Sequence, residues 1–145
     1  MLKNIIRFAP SIAGALVCIF VCFALLDALW LGVIASSWYQ DAMASIIRSD
    51  IITWPWLVFY LLYGGVVFVL AVVANRDQSL LYACIDGALL GLASYGTYNL
   101  TNYSVIEGFP LNIAMIDWAW GIVITSISAG AGWLGFQKFR NDTTK

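Results

Sequence analysis

The sequence predicts an all-α integral membrane protein, a four-helix bundle with N- and C-termini cytoplasmic and a short interfacial helix between the first and second spans. Three observations carry that expectation. The chain of 145 residues is 62% hydrophobic and only 10% charged, with a mean hydropathy of +0.87; a soluble domain of this length needs far more polar surface. Four apolar stretches, roughly 10–35, 53–74, 79–103 and 110–135, each reach the ~20 residues that cross a bilayer. Polar or turn-forming breaks separate them, so residues 1–145 read as a single transmembrane domain.

The opening "MLKNIIRFAPSIAGALVCIFVCFALL" starts like a signal peptide, with basic residues before an apolar run. The run is too long for a signal core and has no small-x-small cleavage site at its end, so it is expected to stay as the first helix. Cys18 and Cys22 share a face of that helix without zinc-site spacing, and with Cys84 they read as small packing residues. The longest connection, about 36–51, puts Trp38, Tyr39, Ala42, Met43, Ile46 and Ile47 on one side of a helix and most polar residues on the other. That pattern predicts a short helix lying in the membrane interface; a simple extension of the first helix fits as well. "NRDQ" at 75–78 divides the second span from the third. "EGFP" at 107–110 divides the third from the fourth, with Pro110 suited to a helix start. "FQKFRNDTTK" at 136–145 reads as a polar tail that frays.

Basic residues set the direction. Lys3, Arg7, Arg76, Lys138, Arg140 and Lys145 fall on one side of the four spans, and Arg48 alone on the other. Both termini are therefore expected in the cytoplasm of a multi-pass protein, with Trp38, Trp54, Trp56 and Tyr103 at the outer interface, where aromatic belts sit.

Composition also excludes. There is no histidine, the commonest general base and metal ligand. A net charge of −1 gives no field for nucleic acid. No phosphate loop or haem motif is present, and no lysine in any span could form a retinal Schiff base. No cofactor and no metal site is implied.

Asp27, Asp86 and Asp117 lie inside the spans without a lysine or arginine beside them. Such residues face the bundle interior and count as functional candidates. At ~1.5 Å per residue, Asp27 and Asp117 lie about 10–12 Å below the outer end of their helices. Tyr98, Asn99 and Asn102 share that depth, whereas Asp86 falls in the cytoplasmic half. Along the fourth span Asp117, Gly121, Thr125, Ser128, Gly132 and Gly135 form one small or polar stripe, as a close helix contact requires. Along the third, Ala83, Gly87 and Gly91 form a similar ridge that is expected to continue into Tyr95, Tyr98 and Asn102. The sequence thus predicts a polar, aromatic-walled pocket in the outer half, lined by Asp27, Trp30, Tyr60, Tyr98, Asn99, Asn102 and Asp117. Trp118 or Trp120 would stand at its rim. The bland alternative is interhelical glue, with polar groups holding helices together at about 1 kcal/mol each.

Four blocks, "LDALWLG", "FYLLYGGVVF", "GLASYGTYNLTNY" and "DWAWG", together resemble the bacterial membrane proteins grouped as domain of unknown function 2177. The resemblance covers nearly the whole chain and implies a small four-helix protein of the bacterial inner membrane, with no activity attached. Asp27, Asn102 and Asp117 fall inside the family-like blocks.

Three functions remain open at this level. The first is binding or transport of a small polar, cationic or lipid-like ligand, with carboxylates supplying charge and aromatic rings cation–π faces; transport would require a homodimer. The second is an enzyme acting on a lipid or isoprenoid, against which the missing histidine and metal motif weigh. The third is a structural or accessory subunit in the lipid bilayer, whose polar cluster only fixes helix register.

Overall fold

The computed structural model describes residues 2–142, with side chains from 8 to 140. Lys145, and the side chains of Lys3 and Arg7 that bear on orientation, lie outside the described residues. Five helices succeed one another: α1 (Leu2–Leu29), α2 (Ser36–Ala42), α3 (Trp54–Val67), α4 (Leu80–Val105) and α5 (Leu111–Asp142). α1 runs on through a π-helical turn, Trp30–Ile34, and α3 through another, Phe68–Val73. Among the described residues there is no strand. Four stretches among the described residues are long and apolar enough to cross a membrane: Phe8–Ile34, Trp54–Val73, Leu80–Val105 and Leu111–Arg140. The chain is a multi-pass membrane protein built as a four-helix bundle.

Local chemistry fixes the boundaries. Proline in the first turn of α3 needs no backbone donor there. Gly108 adopts φ +82°, a left-handed turn that reverses the chain between α4 and α5. The reversal tucks Phe109 into the bundle, and Pro110 then leads into α5, its carbonyl accepting from the Ala114 amide at 3.1 Å.

α5 is the central post, in extensive contact with both α1 and α4. Its small-residue stripe makes this close approach feasible, because neighbouring helices meet it backbone to backbone. A Cβ added at Gly87 of α4 would stand 2.8 Å from the Thr125 carbonyl oxygen of α5. One added at Gly135 of α5 would stand 2.6 Å from the Gly14 carbonyl oxygen of α1. Ile19 and Phe23 of α1, Tyr63 and Val67 of α3, Val72 of the second π turn, and Ile124 and Phe136 of α5 fill the remaining core.

α3 is bound unevenly. Its second half and π turn are packed into the core through Tyr63, Val67, Ala71 and Val72. The first half stands away: every residue from Ile51 to Phe59 is exposed, and Tyr60 is the first to turn inward. This leaves clefts on both flanks of α3, open sideways to lipid.

One expectation is corrected, and an open alternative is resolved. The segment from Phe136 does not fray at once but continues α5 to Asp142. Phe136 is buried, Gln137 Nε2 donates to the Arg76 carbonyl at 2.5 Å, and Arg140 donates to the same carbonyl at 2.8 Å and to Asp77 at 2.7 Å. The α3–α4 turn thereby pins the last turns of α5. The short helix α2 begins after a single residue, Ala35, whose amide bonds back to the Trp30 carbonyl at 2.7 Å. It is at once a distinct helix and a bent continuation of α1.

Candidate functional site

Asp27 and Asp117 come to the same end of the bundle, where α1 ends and α5 begins. Asp27 sits one turn before the π turn of α1 and is 9% exposed. Tyr60 of α3 donates its hydroxyl to Asp27 Oδ2 at 2.5 Å, and Trp120 of α5 donates its indole N–H to Oδ1 at 3.0 Å. Trp30 stacks on Trp120 with ring centroids 4.4 Å apart and planes 6° from parallel, and Trp38 of α2 meets Trp30 edge-on. Three helices thus converge on one carboxylate, and a wall of indoles closes one side of it.

Asp117 lies one turn before Gly121 on α5. Asn99 of α4 donates Nδ2 to Asp117 Oδ2 at 2.7 Å and to the Tyr95 carbonyl of its own helix at 3.0 Å. Tyr39 of α2 donates its hydroxyl to Asp117 Oδ1 at 2.6 Å. The π turn explains how Tyr39 arrives there. One extra residue in a helical turn rotates the downstream chain by roughly 100°, and α2 is swung back over the bundle end instead of continuing the face of α1. Burial, and then the adjacent Asp117 carboxylate, push the Tyr39 phenol above the usual tyrosine range. It is therefore held as a hydroxyl that donates to the carboxylate.

All four carboxylate oxygens accept a bond, and every donor is neutral. No lysine or arginine occurs between residues 8 and 47, 54 and 75, 80 and 105, or 111 and 137. Hydrogen bonds satisfy the oxygens without supplying a countercharge. Asn99 Oδ1, by contrast, is buried and has no donor.

Two clefts open onto this centre. One, of about 390 Å³ between α3 and α4, is walled by Trp56, Phe59, Tyr60, Tyr95 and Tyr98, with Asp117 as its one ionisable acid. The other, of about 760 Å³ between α1 and α3, runs past Phe20, Ala24, Asp27 and Ala28 on α1 and Leu57 and Leu61 on α3. Leu31, Trp56 and Tyr60 border both.

The structure brings together Asp27, Trp30, Tyr60, Asn99, Asp117 and Trp120. Tyr98 remains on a cleft wall, 58% exposed. Asn102 lies against Tyr98 and bonds neither carboxylate. The buried residues of α4 are Ala83, Gly87, Gly91, Gly96 and Asn99; the i+4 row from Ala83 passes through Tyr95, packed on Gly121, to Asn99 and leaves Tyr98 and Asn102 to one side. Trp120 is an inner member rather than a rim residue. Trp118 turns the other way, lies over Gly96 and donates to the Leu92 carbonyl at 2.8 Å. Tyr39 and Tyr95 join the site without having been expected among its lining residues. A hydroxyl amid the apolar face of the connecting helix is the signal for Tyr39, and it reads equally well as an interfacial aromatic. Asp86 stands apart, bonded by Asn75 Nδ2 at 2.6 Å near the α3–α4 turn. Among the described residues no three His, Cys, Asp or Glu side chains gather to hold a metal ion.

Four spans around a pair of hydrogen-bonded carboxylates define a small polytopic membrane protein with a polar centre at one end. The chain belongs to the family of predicted membrane proteins DUF2177, whose model matches residues 12–134 and so includes every member of the centre. No curated protein and no solved structure matches it.

Proposed function

We propose that this protein sits in a bacterial inner membrane with both termini cytoplasmic and binds or transports a small polar, cationic or lipid-like ligand at Asp117 and Asp27, in the outer half of the bundle. The observation that carries this reading is the α3–α4 cleft, where Asp117 faces five aromatic residues and no cation of the chain's own. An uncompensated carboxylate in a membrane is expensive. A ligand cation would offset that charge, and each aromatic face it meets adds about 0.5–2 kcal/mol.

The competing reading is interhelical glue, and one observation favours it: each carboxylate oxygen already accepts a bond. Titration of the protein in nanodiscs with tetraphenylphosphonium, monitored by tryptophan fluorescence, separates the two. Ligand binding predicts a saturable response, weakened at least tenfold by Asp117→Asn. Glue predicts no saturable response, and a change in unfolding midpoint alone.

A further inference from the structure

The α1–α3 cleft adds something the polar centre does not need for a simple ion. It tracks α1 from Phe20 to Leu31, roughly 16 Å at the helical rise, and apart from Asp27 and the hydroxyl of Tyr60 its walls are hydrocarbon or aromatic. It is open along its length, because the first half of α3 makes few contacts with the rest of the bundle. Asp27 lies in the half of the groove nearer α2, and the aromatic cleft before Asp117 shares Leu31, Trp56 and Tyr60 with it. A charged end and an apolar run, joined and both reachable from the side, are the complement of a molecule with a cationic head and a hydrocarbon tail.

We infer that the ligand is a cationic amphiphile taken sideways from the lipid, its head between Asp27 and Asp117 and its tail in the groove between α1 and α3. This rests on the proposed function and adds the ligand's class and route. Charge complementarity commits the groove to this occupant. An anionic or neutral lipid, or the apolar face of another helix, would leave both carboxylates without a counterion.

The test compares dodecyltrimethylammonium with tetramethylammonium on the full chain in nanodiscs, with dodecanol as the neutral control for partitioning. Dodecyltrimethylammonium is expected to bind saturably and at least tenfold more tightly than tetramethylammonium. Ala28→Trp, which fills the groove from its lipid-facing side, is expected to weaken the long-chain cation at least fivefold and leave the short one unchanged. Ala24→Phe repeats the block at a second position should Ala28→Trp fail to fold. Asp117→Asn is expected to weaken both cations. Equal affinity for the two, insensitive to both groove substitutions but lost in Asp117→Asn, would overturn the amphiphile and leave a free-cation site. A long-chain preference shared by dodecanol and untouched by Asp117→Asn would reduce it to bilayer partitioning. Absence of any saturable cation binding would overturn this inference together with the cation-binding form of the proposed function.

Discussion

Replacing Gly87 by alanine probes the α4–α5 seam, which brings Asn99 to Asp117. The added methyl would stand 2.6 Å from the Ala129 methyl and 2.8 Å from the Thr125 carbonyl oxygen, both far inside van der Waals contact, and one of these is backbone that cannot rotate away. α4 and α5 must therefore separate locally, which at the scale of core overpacking costs about 1–3 kcal/mol. Alanine also favours a helix over glycine by up to about 1 kcal/mol, which would hide part of the effect. Gly65→Ala removes that ambiguity, because Gly65 lies in α3 with nothing within 4 Å of the added methyl. The propensity gain is common to both variants, so the difference between them reports overpacking alone, about 1–3 kcal/mol. Reversible unfolding in mixed micelles, monitored by circular dichroism, measures it. Equal midpoints for the two variants would refute the close α4–α5 contact.

Tyr39 should make stability fall at alkaline pH. Its phenol is raised in the folded state, so above the unfolded value near pH 10 the native chain holds a proton that the unfolded chain has lost. Stability is then full below about pH 10 and declines as pH rises beyond it; Tyr39→Phe should flatten that decline in a pH series of unfolding curves. Tyr60→Phe removes the bond between the first half of α3 and Asp27, a loss of about 1 kcal/mol for a half-exposed membrane hydrogen bond. Reversible unfolding in mixed micelles should show that loss against wild type, and an unchanged midpoint would show that α3 is held by other means. Asn75→Ala leaves Asp86 without its donor and should destabilise by about 1–3 kcal/mol without altering cation binding, because Asp86 belongs to the other end of the bundle.

The bundle was legible because membrane helices announce themselves by length and hydropathy. "NRDQ" and "EGFP" interrupt the apolar runs where the helices end, and the stripe from Asp117 to Gly135 was written in small residues. The carboxylates were legible as well, since an aspartate in an apolar helix faces the bundle interior; Asn99 was legible only together with Asn102. What could not be read was local geometry that leaves hydropathy unchanged. "WLGVI" has nothing polar to mark it as a π turn, yet that turn brings Tyr39 to Asp117. The choice between Asn99 and Asn102 depended on α4 keeping an i+4 row past Gly91, which is settled by how Tyr95 and Trp118 pack around Gly121 and Gly96. The standing-away of the first half of α3 is likewise a matter of tertiary packing, because "WPWLVFY" is equally apolar against lipid or protein.

The most direct measurement is the affinity of tetraphenylphosphonium for wild type and for Asp117→Asn, each in nanodiscs and each shown to be folded. If the carboxylate pair is a binding centre, wild type gives a saturable tryptophan response and Asp117→Asn shifts it at least tenfold to weaker binding. Indistinguishable curves from two folded proteins would contradict that and leave Asp27 and Asp117 as ties between helices.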